Sequence, residues 1–312
     1  MDHRELGRTG MNVSTVSFGT SPLGDMFGPA SEESGIAAVH RALDAGINLF
    51  DTSVYYGMGL AEERLGKALQ GHRDEVFIST KAGRFGPDTF DFSAARLRSS
   101  LEQSLRLLGT DHVDVFFLHD IEYVDMDPVL TEGFAALQQF KDEGLTRFVG
   151  MSGYPIKALQ RAVAETDIDV VLSYSHATLL DQCLTERLVP LAEEHGVGIM
   201  NAAAVTLGLL TPGPSKIIGG QHPADSEIIA AAERIKAICA EAGVDVAFLA
   251  NQFSIQRSGC PTTVIGTVKP ENLDSAVAAA TTPIDEQLLA RVLAAAAPVS
   301  RHCWISGRPE NN

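Results

Sequence analysis

Val113-Asp114-Val115-Phe116-Phe117-Leu118-His119 is an apolar, β-branched and aromatic run that stops on an imidazole. A run of this kind reads as a buried strand. Just before it, Ser93–Leu108 carries apolar residues at helical spacing, opens on a serine suited to an N-cap and closes at Gly109. Helix, short turn and buried strand form one period of a βα repeat. The alternation continues in both directions through the chain, as expected for helices packed around a parallel sheet.

Working outward, the other strand candidates are Thr15–Gly19, Asn48–Asp51, Val76–Thr80, Arg147–Met151, Val170–Tyr174, Gly198–Ala202 and Thr263–Gly266. Helical patterns lie near Glu32–Ala45, Ala61–Leu69, Pro128–Glu143, Pro155–Ala164, Thr185–His195, Ser226–Ala242 and Glu271–Ala280, with Gly46 and Gly144 closing two of them. Eight strands alternating with eight helices, without a break in composition, predict an α/β fold. The expected architecture is one (β/α)8 TIM barrel forming a single domain over 1–312. The surplus over a typical barrel, roughly 60 residues, falls in three places. Leu6–Val16 reads as an N-terminal capping hairpin around Thr9-Gly10, Ala203–Asp225 as a Pro/Gly-rich insertion after the seventh strand, and Ile284–Ala297 as an extra C-terminal helix. Neither Gly57-Met58-Gly59 nor Gly83-Arg84-Phe85-Gly86 has the GxGxxG spacing, so a Rossmann fold is not supported.

Composition narrows the function. The 312 residues are 45% hydrophobic, enough for a large core, and the net charge of -16 repels polyphosphate backbones and anionic lipid surfaces. No nucleic-acid or membrane partner is expected. Even the alanine-rich Leu288–Val299 is interrupted by Arg291, far short of a membrane span. Cys183, Cys239, Cys260 and Cys303 are scattered without a CxxC pair, and the first ten residues hold no secretory apolar region. These features read as reduced thiols in a cytoplasmic protein, a monomer or small homo-oligomer.

In a barrel, chemistry gathers at the C-terminal ends of strands, so the informative residues are polar ones that close apolar runs. Asp51 closes Asn48-Leu49-Phe50-Asp51, Lys81 follows Val76-Phe77-Ile78-Ser79-Thr80, and His119 closes the run quoted first. Tyr56 lies in the turn after Asp51. Taken singly, the aspartate reads equally as a turn cap, the lysine as solvated and the histidine as a core residue. Their shared phase places all four at one mouth. A phenol titrates near pH 10, and an adjacent ammonium favours its ionised form. Lys81 is therefore expected to lower the Tyr56 pKa, a fall of about three units being worth about 4 kcal/mol, while Asp51 holds Lys81 charged. His119 would bond the same substrate oxygen. Such a set suits proton transfer on an oxygen whose carbon gains or loses hydride. It has no nucleophile for acyl transfer. A metal-dependent hydrolase using Asp51, His119 and Asp120 is the rival reading, but no HExxH and no pair of strand-end histidines accompanies it, so no metal is expected.

Four motifs surround these residues: Gly46-Ile47-Asn48-Leu49-Phe50-Asp51-Thr52 with Tyr56-Gly57, Glu63-Arg64-Leu65-Gly66-Lys67-Ala68-Leu69, Ser79-Thr80-Lys81, and Leu107-Leu108-Gly109-Thr110-Asp111-His112-Val113-Asp114. In these motifs the chain resembles the aldo-keto reductase superfamily, from about Leu6 to Asn272. Further stretches, Phe18-Gly19-Thr20-Ser21-Pro22-Leu23-Gly24, Phe90-Asp91-Phe92-Ser93, His119-Asp120-Ile121-Glu122, Leu172-Ser173-Tyr174-Ser175-His176 and Trp304, resemble its sugar-oxidising branch. The resemblance implies a catalytic tetrad of Asp51, Tyr56, Lys81 and His119. It also implies oxidation of the C1 hydroxyl of an aldose such as L-galactose or L-fucose to the lactone, with hydride passing to a nicotinamide and Tyr56 as the base.

The resemblance further implies a dinucleotide extended over the mouth, held by Ser152, Ser173, Leu209 and the segment Gly266-Thr267-Val268-Lys269-Pro270-Glu271-Asn272. Gly153 and Ala202 stand where the family more often has an asparagine and a stacking aromatic. Gly266 and Asn272 replace the cations that NADP-preferring members place there, so NAD is expected over NADP, with Lys269 as the remaining basic residue. Substrate contacts are expected from Ser21, Asp120, His176 and Trp304, and Glu122 is a further candidate. The alternatives are an NAD(P)H-dependent reductase of carbonyls such as pyridoxal, and a non-catalytic nucleotide-sensing subunit.

Overall fold

The computed structural model describes residues 1–212 and 222–312. β1 (His3–Glu5) and β2 (Asn12–Ser14) pair antiparallel. They are followed by β3 (Val16–Gly19), β4 (Leu49–Asp51), β5 (Phe77–Ala82), β6 (Val113–His119), β7 (Thr146–Gly153), β8 (Val170–Tyr174), β9 (Gly198–Ala202) and β10 (Thr262–Gly266). β3 to β10 are parallel neighbours in chain order, and β10 pairs back to β3, closing the barrel. The expected (β/α)8 TIM barrel is present.

The helices are α1 (Glu32–Asp44), α2 (Leu60–Ala68), α3 (Ala94–Leu108), the single turn α4 (Met126–Pro128), α5 (Phe134–Asp142), α6 (Ile156–Glu165), α7 (Val189–Glu194), α8 (Ser226–Glu241), α9 (Val246–Arg257), α10 (Pro270–Thr281) and α11 (Glu286–Ala296). Strand alternation sorts the core into two shells. Val115 and Phe117 of β6 join Leu49, Val170, Met200 and Val264 inside the barrel, while Phe116 and Leu118 face the helices. The β1–β2 hairpin plugs the bottom with Leu6, Met11 and Val13. It begins at His3, earlier than the expected Leu6, and fits closely: a Cβ at Gly198 would come within 2.8 Å of the Leu6 side chain.

Two expectations change. The helix Ser226–Ala242 was assigned to the crossover before the last strand, but α8 packs on α11 in a separate apolar cluster of Ile228, Ala231, Ile235, Leu288 and Val292. α9, not recognised in the sequence, precedes β10 instead. Its apolar residues do not form a stripe, because Asn251, Gln252 and Ser254 are buried alongside Leu249, Phe253 and Ile255. Periodicity has nothing to report when a helix is covered all round. The helices expected at Pro128–Glu143 and Thr185–His195 are each interrupted by a π-type turn, Val129–Gly133 and Leu184–Leu188. Part of the insertion after the seventh strand, including Gly213-Pro214, lies outside the described residues. Among the described residues, no helix is long and apolar enough to cross a membrane.

Candidate active site

β4, β5 and β6 are adjacent in the barrel, so residues ending them meet at one mouth. β5 runs two residues beyond the expected Thr80, which makes Lys81 the next-to-last residue of the strand itself. The Lys81 ammonium is 1% exposed. It donates to Asp51 Oδ2 at 2.6 Å, to the Thr52 carbonyl at 2.7 Å and to Tyr56 Oη at 3.4 Å. Those three bonds account for its three protons. The other oxygen of Asp51 accepts from Ser79 Oγ at 2.7 Å. The carboxylate is therefore fixed on both sides, and the ammonium is fixed by the carboxylate. Because Lys81 donates to the Tyr56 oxygen, the phenolic O–H is left for an outside partner.

Tyr56 is placed by a tight turn after β4, which packs on the single turn Ser21–Gly24. Gly24 touches it so closely that a Cβ there would lie 2.5 Å from the Tyr56 carbonyl. Ser21 opens the turn whose Gly24 meets Tyr56. His119 stands edge-on to Tyr56, with ring centres 5.9 Å apart, and its Nδ1 lies 3.0 Å from Ser53 Oγ. Nothing in the sequence around Ser53 marks it out from the rest of the turn, and its role beside His119 shows only in the fold.

Electrostatics correct one expectation. Burial raises the Tyr56 phenol above its ordinary value; Lys81 pulls it down, and Asp51 and Asp120 push it up, so the net shift is upward rather than downward as expected. Burial also works against the Lys81 charge, but Asp51 and Tyr56 more than reverse that and its pKa is raised. His119 is held neutral, its pKa lowered to about 3 by burial and by the charges of Lys81 and Arg84 against the opposing Asp120. The resting site thus holds a protonated phenol, an ammonium and a neutral imidazole. It can exchange a proton at Tyr56 and donate a hydrogen bond from His119 to the same oxygen.

Asp120 follows His119 directly and lies with Oδ2 3.8 Å from His119 Nε2. It pairs with Arg84, a residue the sequence reading passed over because Gly83-Arg84-Phe85-Gly86 was weighed only for its glycine spacing. Glu122, His176 and Trp304 are placed otherwise. Glu122 is fully buried beneath the C-terminal segment, accepting from Ser306 Oγ at 3.0 Å and the Tyr154 amide at 3.2 Å, and burial next to Asp120 raises its pKa to about 8. His176 is also fully buried, with Nδ1 2.7 Å from Asp181 Oδ2. Trp304 stacks on Tyr154 at 4.4 Å. Tyr154 also stands 4.2 Å from the His176 ring, so these three join into one aromatic packing unit beside the mouth.

The mouth also has groups that fit a nicotinamide dinucleotide. Ser173 on β8 and Asn201 on β9 are register partners near the strand ends, and Ser173 Oγ and Asn201 Oδ1 are buried with no hydrogen-bond partner. Thr206 Oγ1, in the loop after β9, is likewise unpartnered. Ser152 is the next-to-last residue of β7, beside β8, its hydroxyl 3.4 Å from the Leu118 carbonyl. The same loop takes positive φ at Ala203, Thr206 and Leu207, strain of the kind that persists at binding loops, and leads to buried Leu209. Gly266, the last residue of β10, is exposed, and just beyond it Thr267 Oγ1 accepts from the Lys269 amide at 3.0 Å and from Asn272 Nδ2 at 3.4 Å. These bonds order the start of α10, and the positive end of a helix dipole favours an anionic group.

Barrel, tetrad and mouth define a known class. The sequence profile of the Aldo/keto reductase family matches residues 15–297, and the chain belongs to that family of nicotinamide-dependent oxidoreductases. It is 39% identical to L-galactose dehydrogenase of Arabidopsis thaliana over 99% of this chain and 98% of that one. It is 33% identical to D-threo-aldose 1-dehydrogenase of a Pseudomonas species, covering 85% and 88% of the two chains. Among solved structures, aldo-keto reductase AKR11C1 from Bacillus halodurans in its holo form superposes with a TM-score of 0.79 at 25% identity, covering 98% of each chain.

Proposed function

We propose that the protein oxidises the C1 hydroxyl of an aldose such as L-galactose or L-fucose to the lactone, using NAD, on one barrel domain. The observation that carries this reading is the chain of contacts from Asp51 through Lys81 to Tyr56, with neutral His119 beside the phenol. The names of the two sugar-dehydrogenase relatives support the substrate class. When bound, the nicotinamide supplies the hydride acceptor. Ser152, Ser173 and Asn201 would hold its polar end, and Leu209 and the start of α10 the remainder of the dinucleotide.

The chain's own residues handle the proton. His119 donates a hydrogen bond to the reacting oxygen and orients it. Tyr56 takes the hydroxyl proton as the carbonyl forms, and Lys81 stabilises the phenolate that this requires. Asp51 keeps Lys81 charged and in place. In the reverse direction Tyr56 donates. Asn272 is turned onto Thr267, and Gly266 has no side chain, which supports NAD over NADP because the segment 266–272 offers a 2′-phosphate a single cation, Lys269.

The test is a panel of L-galactose, L-fucose and D-arabinose with NAD and NADP, followed at the absorbance of the reduced cofactor, against carbonyls including pyridoxal in the reducing direction. Oxidation of at least one aldose at a kcat/KM above that for every carbonyl is expected. Turnover of carbonyls alone would replace this reading with a reductase, and no turnover of either would favour the sensing subunit.

A further inference from the structure

Three residues beyond Lys81, Arg84 reaches back over the mouth. Its Nη1 lies 2.5 Å from Asp120 Oδ2. Its guanidinium carbon is 4.3 Å from the centre of the Tyr55 ring, and 5.6 and 5.3 Å from Phe90 and Tyr123, which are themselves stacked 4.5 Å apart. Three aromatic rings and an ion pair thus fix one side chain. Asp120 occupies the left-handed region at φ 54°, an uncommon conformation for a residue with a Cβ, and its carboxylate lies 3.8 Å from His119 Nε2. The proton chain does not use this pair. Lys81 has given its protons to Asp51, Thr52 and Tyr56, and His119 Nδ1 is taken by Ser53.

We infer that the Arg84–Asp120 pair is the element that selects a substrate carrying a hydroxyl on the carbon next to the reacting one, as the C1–C2 unit of an aldose does. This rests on the aldose reading above and specifies what in the mouth enforces it. A reacting oxygen bonded to His119 Nε2 sits about 2.9 Å from it. The neighbouring hydroxyl of a vicinal diol is about another 2.8 Å away, an ordinary O–H···O spacing. Asp120 Oδ2, at 3.8 Å from the same nitrogen, is therefore in reach to accept from that second hydroxyl, with Arg84 able to donate to its oxygen.

Discrimination follows from what happens when the second hydroxyl is missing. A methylene at that place would displace water from Asp120 and Arg84, leaving them each other but returning no hydrogen bond for the polar atoms that face the substrate, and a site built to bond a hydroxyl rejects the analogue that lacks it. Arg84 also keeps Asp120 from turning fully onto His119, and the aromatic wall of Tyr55, Phe90 and Tyr123 supplies apolar faces of the kind a sugar ring packs on.

The experiment compares kcat/KM for L-galactose and its 2-deoxy analogue in the unaltered protein, Asp120→Asn, Arg84→Ala and Arg84→Lys. Each ratio is taken within one preparation, so partial misfolding of a variant cancels. The unaltered protein is expected to favour the full sugar by about 100-fold. The Asp120→Asn and Arg84→Ala ratios should fall to within about fivefold of unity, with Arg84→Lys between. Turnover with the ratio unchanged in the variants, or no preference in the unaltered protein, overturns the assignment of Arg84 and Asp120. No turnover of L-galactose, L-fucose or D-arabinose by the unaltered protein overturns the aldose reading itself.

Discussion

Ser53 Oγ lies 3.0 Å from His119 Nδ1, which leaves Nε2 as the ring nitrogen for the reacting oxygen. The Asp120 carboxylate near Nε2 favours the tautomer with its proton there, so His119 enters the reaction as a donor. Removing the hydroxyl frees the ring to flip or to change tautomer. Ser53→Ala is expected to lower kcat about tenfold, the worth of one hydrogen bond, with KM for the sugar nearly unchanged and Ser53→Thr restoring most of the loss. An unaltered kcat would show that Ser53 does not orient His119.

Tyr56→Phe removes the proton carrier and keeps the ring. Oxidation should fall by about 10² to 10⁴-fold, and Lys81→Met by a similar amount, while a chelator leaves the parent unaffected. Near-normal turnover by both variants would exclude the mechanism. Burial raises the phenol above its ordinary value, and oxidation needs the phenolate. The oxidation rate of the parent should therefore rise with pH and still be rising near pH 10, a slope that Tyr56→Phe should lose.

The barrel was legible because the strands show as apolar runs, and three of them show a second time through the polar residue at their end; Asp51, Lys81 and His119 are both fold signals and site signals. α9 was not legible because a helix covered on all sides has no stripe. The tetrad could be read from phase along consecutive strands, whereas Arg84 could not: its partner Asp120 is 36 residues away, and only the closure of β5 on β6 brings them together. The direction of the Tyr56 shift was misjudged for a related reason. Charge neighbours can be guessed from sequence, but the burial that outweighs Lys81 is a property of the packed turn.

The C-terminal segment closes on the loop after β6 through a contact only glycine permits. Gly307 has φ +68°, and a Cβ there would lie 2.4 Å from the Glu122 carbonyl, which accepts from the Arg308 amide at 3.0 Å and Asn311 Nδ2 at 2.8 Å. Gly307→Val is expected to lift the segment, costing about 1–3 kcal/mol of stability and hastening proteolysis near the C-terminus. Cleavage kinetics equal to the parent's would show that the clamp does not depend on this residue.

Cofactor choice should be transferable with two charges. The unaltered protein is expected to favour NAD over NADP at least tenfold in kcat/KM, about 1.4 kcal/mol. Gly266→Lys with Asn272→Arg supplies cations for a 2′-phosphate and should shift the ratio toward NADP by about tenfold or more. Salt should weaken NADP use by the double variant more than its NAD use. A parent that prefers NADP tenfold would overturn the reading of these positions.

Glu62 gives the fold a pH dependence unrelated to catalysis. It is fully buried beneath β5, accepting from Thr80 Oγ1 at 2.6 Å, and burial raises its pKa to about 7 from 4.5. Between those two values the unfolded chain has released the proton while the folded chain keeps it, so stability declines as pH rises from about 4.5 to about 7. Above that range the full penalty is present, at most about 3.5 kcal/mol for a shift of this size. Glu62→Gln keeps an acceptor for Thr80 and removes the ionisation. The variant should therefore melt above the parent at pH 8, with the gap shrinking at pH 5. A difference in melting temperature that is the same at both pH values would show that Glu62 does not titrate in this range.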